Sequence, residues 1–462
     1  MRAARVVAVL LTLSTLVAAW SLPAGATFGM RRAGSNGHPT TPVWYHDSSI
    51  VQVGHKLFIG WNTSHSSVQA RAFNLVKGTW STRPVTVSAT SLNCACTDST
   101  GTDPHRHDVP SLLADPAGRV YAIYGGGSAS HMGSKTGPFF RASSKLGSVG
   151  QWGPEQALSL PGAAYDFESV RDNQGVNHLV GQQGDNPGGA GSLIYFRLSP
   201  GTAGTPGAIS AGQVLVSGGS QPLACSWIPG CNIFVIGRIA LGPGNPADPS
   251  TPNPLYLTWG WSESNLSNGC GDPAGFCNRG LYLARSLDGG TTWTNQAGTT
   301  SVTPSVSPIL YDDPAFEVVS SSQNVGLFKA LAVAGSYPGH PWITFQAGAN
   351  HGRGTIEVTH WSGSAWLTKV LDRSRAWNNH LVMRTTASGH IYLWSDIAQT
   401  GKLARRLAQW LWTGARWRKS YLNLGRSWFL TGVAVPGGEA LEWRVPGTAV
   451  SSGVAFAVMP VR

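Results

Sequence analysis

The sequence predicts an all-β protein, a β-propeller of seven blades, each a four-stranded antiparallel sheet. Three observations predict it. Glycine and proline are abundant, 58 and 29 among 462 residues, and at that density they break helices. Short apolar segments, many of them β-branched, follow Gly- or Pro-containing turns, the pattern of antiparallel strands. These segments recur every several tens of residues, as in radially repeated sheets. Disorder is excluded by the aromatic content, which includes 19 Trp.

The first element is an address. Arg2 and Arg5 precede an apolar stretch at 6–19, and Ala24-Gly25-Ala26 has the form of a signal-cleavage site. That stretch is about 14 residues, short of the roughly 20 that span a bilayer. Residues 1–26 therefore read as a secretory signal. The mature protein is expected to be secreted, extracellular and not inserted in a membrane. Residues 27–462 are expected to form one propeller domain, about 62 residues per blade for seven blades.

The strand units come next. They include Val53-Gly54-His55-Lys56-Leu57-Phe58-Ile59-Gly60-Trp61 and Asp115-Pro116-Ala117-Gly118 leading to Val120-Tyr121-Ala122-Ile123-Tyr124. Asp172-Asn173-Gln174-Gly175 leads to His178-Leu179-Val180 in the same way. Leu255-Tyr256-Leu257-Thr258-Trp259, Trp342-Ile343-Thr344-Phe345 and Ile391-Tyr392-Leu393-Trp394 continue the series. Ser286-Leu287-Asp288-Gly289-Gly290-Thr291-Thr292-Trp293 matches the Asp-box, S-x-D-x-G-x-T-W. Its Asp and Gly suit a tight turn between outer strands, with the Trp packed beneath. The motif is structural and marks no catalytic centre.

The formal charge is +11, or +9 once Arg2 and Arg5 are removed. A basic exported protein favours acidic partners. No Lys/Arg run and no helix-turn-helix or zinc-finger spacing is present, so no nucleic-acid partner is expected. Cysteines stand at 94, 96, 225, 231, 270 and 277. Close spacing favours Cys225–Cys231 and Cys270–Cys277 disulfides, with Cys94 and Cys96 left over. There is no C-x-x-C, and neither metal nor cofactor is expected. The expected state is a monomer.

Several segments resemble BNR-4 type propellers. Trp259-Gly260-Trp261, then Leu281-Tyr282-Leu283-Ala284-Arg285-Ser286 running into the Asp-box, is similar to that family's W-x-W, strand and Asp-box. Arg106-His107-Asp108-Val109-Pro110 followed by Asp115-Pro116-Ala117-Gly118 resembles its D-H-N-x-P then pDG. Tyr124-Gly125-Gly126-Gly127 with His131 resembles its Y-x-G-H loop. Phe140-Arg141-Ala142-Ser143 then Trp152 resembles its R-x-S…W step, and Ala164-Tyr165 stands at its T-Y. The likeness covers roughly residues 40–300. Relatives include ulvan lyases, which cleave sulfated, uronate-containing polysaccharide by β-elimination.

The resemblance implies an acidic polysaccharide as partner and a set of roles. Tyr165 and His107 would share the proton transfers, and His131 would neutralise or orient the uronate carboxylate. Arg141 would bind the anion, with His105 and Arg197 as further substrate-binding groups. The residue types suit the chemistry: His moves protons near neutral pH, and Arg holds a carboxylate or sulfate through two parallel hydrogen bonds. Two departures stand out. Relatives carry Arg near the place where this chain reads Gly181-Gln182-Gln183-Gly184, and Ser262 follows the W-x-W where Arg is usual. Some relatives hold a structural metal through His and Cys. Cys277-Asn278-Arg279 lacks that His, and a Cys270–Cys277 disulfide is the expected substitute.

Two other function classes stay open. One is a non-catalytic glycan-binding propeller, which the missing Arg would suit. The other is a sialidase-like glycosidase using Tyr165 and Glu168; a generic glycosidase would need paired carboxylates, for which Asp312, Asp313 and Glu317 are candidates. Trp259 and Trp261 are expected to be blade core rather than a sugar platform.

Overall fold

The computed structural model describes residues 31–37, 49–63, 67–89, 110–125, 138–161, 164–183, 191–219, 233–263, 277–348, 354–373, 380–386, 388–398, 405–422, 428–435, 438–448 and 451–460. The signal segment, His105, His107, His131 and the cysteines at 94, 96, 225, 231 and 270 lie outside them. The expected disulfides therefore lie outside the described residues too.

Each strand unit forms for local reasons. Val53 pairs with Lys56, which leaves Gly54-His55 as a two-residue hairpin turn with Gly54 at φ +56°. Asp115-Pro116-Ala117-Gly118 and Asp172-Asn173-Gln174-Gly175 form tight turns within five-residue loops, the Gly N–H donating to the Asp carbonyl at 3.0 and 3.1 Å. In the second turn the Asp172 carboxylate also accepts from the Gln174 and Val176 N–H groups, both at 2.9 Å. The strands that follow, Lys56–Asn62, Val120–Tyr124 and Asn177–Gln183, are buried nearly throughout. Central strands sandwiched between neighbouring sheets need apolar side chains on both faces, whereas the outer strands Trp366–Asp372 and Trp417–Leu422 are largely exposed.

The innermost strands of successive sheets touch in a closed ring. Ile50–Val53 meets Ser111–Ala114, which meets Ala164–Arg171, then Ile233–Leu241, Glu317–Ala334, Leu381–Thr385 and Trp428–Val435, which returns to Ile50–Val53. This is a β-propeller. The expectation of seven separate four-stranded blades is corrected. The described strands form six hydrogen-bonded sheets: five separate blades of four or five strands and one continuous sheet of nine. The physical reason is Glu317–Ala334, an 18-residue strand that pairs with Cys277–Ser286 along its first part and with His340–Ala347 along its second. One of the five separate blades is completed by Arg31–Gly37, which pairs antiparallel with Ser451–Pro460.

The core lies between sheets, not on an axis. Phe58, Ala70 and Ala72 of one sheet pack against Leu112, Val120 and Tyr124 of the next. Trp259, Tyr282 and Trp293 meet Val180, Leu193 and Tyr195 in the same manner. Tyrosine hydroxyls add links from sheet to neighbouring loop. Tyr121 donates to Asp115 at 2.5 Å and accepts from Gly207 N–H at 2.8 Å. Tyr195 bridges His178 Nδ1 at 2.7 Å and the Gly289 carbonyl at 3.2 Å. His178 Nε2 lies 3.0 Å from Asp172. Burial pushes the hydroxyls of Tyr121 and Tyr195 well above the usual phenol range, so they act as neutral ties.

The Asp-box forms as expected. Asp288 Oδ1 accepts from Ser286 Oγ at 2.7 Å, Thr292 N–H at 2.9 Å and Thr291 N–H at 3.1 Å. Burial raises the Asp288 carboxyl, but these bonds outweigh it and hold the group below its usual value. Gly290 is obligatory: its φ is +88°, and a Cβ there would lie 2.0 Å from the Tyr195 hydroxyl. No helix of the described residues is long and apolar enough to cross a membrane.

Candidate functional site

The inner strand Ala164–Arg171 carries the one candidate lyase side chain for proton transfer among the described residues, Tyr165. It pairs with Gln182 across the hairpin, and the register breaks between Tyr165 and Glu168. The bulge is built around Asp166, a non-glycine residue at φ +52°, which costs about 1 kcal/mol. It turns Phe167 into the interface with the preceding sheet, edge-on to Phe196 at 5.6 Å. Gly181 makes room for that ring, since a Cβ there would lie 2.4 Å from it. Ser111 Oγ donates to the Phe167 carbonyl, so the bulge is fastened to the neighbouring inner strand.

Tyr165 is 4% exposed, and its hydroxyl accepts from Gln182 Nε2 at 3.3 Å. Gln182 is 5% exposed, and its Oε1 has no hydrogen-bond partner among the described residues. The place where the resemblance implies an arginine thus holds a neutral amide that touches the tyrosine hydroxyl. Ser111 pairs with Ile123. Pro110 and Gly125, the described residues nearest in sequence to His107 and His131, therefore sit at the same end of the propeller as Tyr165.

Two of the expected substrate-binding residues are placed elsewhere. Arg141 is spent on the fold: Nε donates to the Gly153 carbonyl at 2.7 Å, Nη2 to Trp152 at 3.2 Å and Nη1 to Val87 in the adjacent sheet. A guanidinium so engaged is a clamp between sheets. Arg197 pairs with His178 and is exposed. It lies four residues along the strand from Leu193, which shares Tyr165's row, roughly 13 Å at about 3.3 Å per residue. It is therefore not brought to Tyr165. His105 lies with His107 outside the described residues.

The carboxylates named for a glycosidase also have structural employment. Glu168 meets Arg238 Nη1 at 3.3 Å and accepts the Ile239 N–H at 3.2 Å. Asp313 caps a short turn by accepting from Ala315 N–H at 2.9 Å, and Glu317 accepts from Ser321 N–H at 3.2 Å. Trp259 and Trp261 are buried, at 0% and 8% exposure, as blade core.

Sequence reasoning missed the central channel. Inner strands line a cavity of about 610 Å³ that holds the Glu168–Arg238 pair and an Arg384–Glu439 pair at 3.5 Å. Burial pushes the Glu168 carboxyl up to about 6 against the pull of Arg238. Burial pushes Glu439 up to about 7 against Arg384, and burial followed by the Arg238 charge brings Lys329 down to about 7. The alternating inner-strand pattern gives no signal for these groups, because each pair joins residues 55 or more positions apart. Among the described residues no three His, Cys, Asp or Glu side chains form a metal-holding group.

Glu439 supplies a pH test. Its folded value lies above the unbound carboxyl value of 4.5, so the folded state holds the proton more tightly. Its contribution is full below that value and is lost as pH rises through about 7. Glu439→Gln has no proton to lose. Its stability relative to wild type is expected to rise between pH 5 and pH 8 by about 2–3 kcal/mol, read by urea unfolding at both pH values. A difference independent of pH would refute it.

No family model matches the chain, and no curated protein matches it. Solved structures do. The chain is similar to an ulvan lyase described as a new polysaccharide lyase family, PL25, with TM-score 0.67 and 12% identity, covering 94% of this chain and 96% of that one. The same lyase bound to -[GlcA(1-4)Rha3S]- gives TM-score 0.66 and 13% identity over 94% and 96%. Polysaccharide lyase Uly1 gives 0.62 and 13% over 92% of each chain. The chain therefore has the propeller fold of these polysaccharide lyases.

Proposed function

We propose that this protein is a secreted polysaccharide lyase that cleaves an acidic, uronate-containing polysaccharide by β-elimination. The observation that carries the reading is the Tyr165 hydroxyl, held by the Gln182 amide at 3.3 Å beside a bulged inner strand. It stands at the end of the fold toward which the described chain leads to His107 and His131. The fold shared with ulvan lyases supports it, as do the motifs around these residues.

In the reaction a base removes the proton at C5 of the uronate. The electron pair forms the C4=C5 double bond as the C4–O bond breaks, and an acid protonates the departing oxygen. Tyr165 and His107 share these two proton transfers, and His131 orients the carboxylate. Gln182 lies near the place where the resembled family carries an arginine, and an amide stabilises an enolate less than a guanidinium does. That same observation favours the second reading, a glycan-binding propeller without turnover.

The test is incubation of the mature protein with acidic polysaccharides, including ulvan, while near-ultraviolet absorbance of the unsaturated uronate is followed. Absorbance is expected to rise with wild type and to stay flat with His107→Ala. A flat wild-type trace with retained polysaccharide binding would replace elimination by the binding reading.

A further inference from the structure

The outer strands Trp366–Asp372 and Trp417–Leu422 belong to consecutive sheets and face each other. Lys419 pairs across its sheet with Trp410 and Tyr421 with Ala408. Trp410 and Ala408 pack in the interface toward the preceding sheet. Leu367 and Lys369 pair with His360 and Val358, whose side of the sheet looks back at the same interface. The cleft between the strands has an aromatic floor: His360 stacks on Trp342 at 4.1 Å, and Trp412 and Trp417 lie 5.8 and 6.2 Å from Trp342.

The rim of this cleft is basic. Lys369, Arg373 and Arg416 are exposed, and Asp372 is the one carboxylate on the two strands. Asp372 is already taken, in an ion pair with Lys419. Lys419 is held further by the rings of Trp410 at 5.2 Å and Tyr421 at 4.8 Å. Tyr421 and Leu367 remain 53% and 50% exposed. Charge on an edge strand by itself would only deter edge-to-edge pairing. Here cations of one sign flank an exposed aromatic ring and an apolar side chain. Such a surface offers charge to an anionic chain and a flat face to sugar rings.

We propose that this cleft is a second, non-catalytic docking site for an acidic polysaccharide, which holds the polymer on the side of the propeller while another stretch of it reaches the Tyr165 end. The proposal rests on the acidic-glycan reading above. It concerns a different set of residues, none of which is placed in the catalytic machinery.

The test uses the triple variant Leu367→Ser, Lys369→Ser, Tyr421→Ser, with a thermal melt to verify folding. In gels containing ulvan its affinity is expected to fall at least about fivefold, and wild-type retention should weaken as salt rises. Cleavage of the polymer should slow while cleavage of a short uronate oligosaccharide stays unchanged. Unchanged retention overturns the docking site. So does an equal loss of retention in neutral dextran, or displacement of ulvan by single-stranded DNA at equal charge concentration. If wild type cleaves nothing yet the triple variant loses retention, docking stands and elimination falls. If wild type cleaves but retention is unmoved, docking alone falls. A wild type that is neither retained nor active overturns both.

Discussion

Tyr165→Phe is expected to lower turnover of an acidic polysaccharide by about 10²–10⁴-fold, the usual worth of a positioned proton-transfer group. The change removes one oxygen and keeps the ring, which is 4% exposed at the start of its strand. Substrate binding should survive, so the loss should fall on kcat with KM nearly steady. Part of the effect is structural, because Gln182 Nε2 donates to this oxygen at 3.3 Å and a stranded buried donor costs about 1–3 kcal/mol. Gln182→Met separates the contributions. It removes the amide, keeps the volume and leaves the hydroxyl, so its loss in kcat should be smaller than that of Tyr165→Phe. Full activity in Tyr165→Phe would remove this residue from the mechanism.

The largest expected effect on stability is that of Trp259→Ala, about 3–5 kcal/mol. Trp259 is 0% exposed. Its ring stacks on Tyr282 at 5.5 Å and lies 6.0 Å from Phe316, and its Nε1 donates to the Tyr311 carbonyl at 2.9 Å. Truncation opens a cavity between two sheets and strands a buried carbonyl, two costs that add. Urea unfolding measures it. A loss below about 1 kcal/mol, coupled to weaker glycan binding, would instead mark the residue as a sugar platform.

Much of the fold was legible because its causes are local. Gly54, Gly118 and Gly175 stand at φ +56°, +91° and +81° in the turns their neighbours announce. The strands after them follow the apolar runs. The Asp-box was legible for the same reason, since its bonds join residues at most four apart. Of the candidate site, Tyr165 and its opposite residue Gln182 were legible as positions. Their hydrogen bond was not, because it depends on the bulge at Asp166 and on Phe167 passing over Gly181.

Arg141 shows where local reading ends. Its motif offers a guanidinium for an anion, but the carbonyl that captures it belongs to Val87, 54 residues earlier, in another sheet. Likewise Tyr195 meets Gly289, 94 residues later. The channel pairs Glu168–Arg238 and Arg384–Glu439 arise the same way. By itself the sequence determined strands, turns, the Asp-box and the all-β class, since alternation and turn chemistry act over a few neighbouring residues. The tertiary structure alone decided the division into sheets, the closure of Arg31–Gly37 onto Ser451–Pro460 and which charged side chains are spent on the fold. Those outcomes depend on which surfaces meet when the ring closes, and a buried polar group takes whichever partner that meeting supplies.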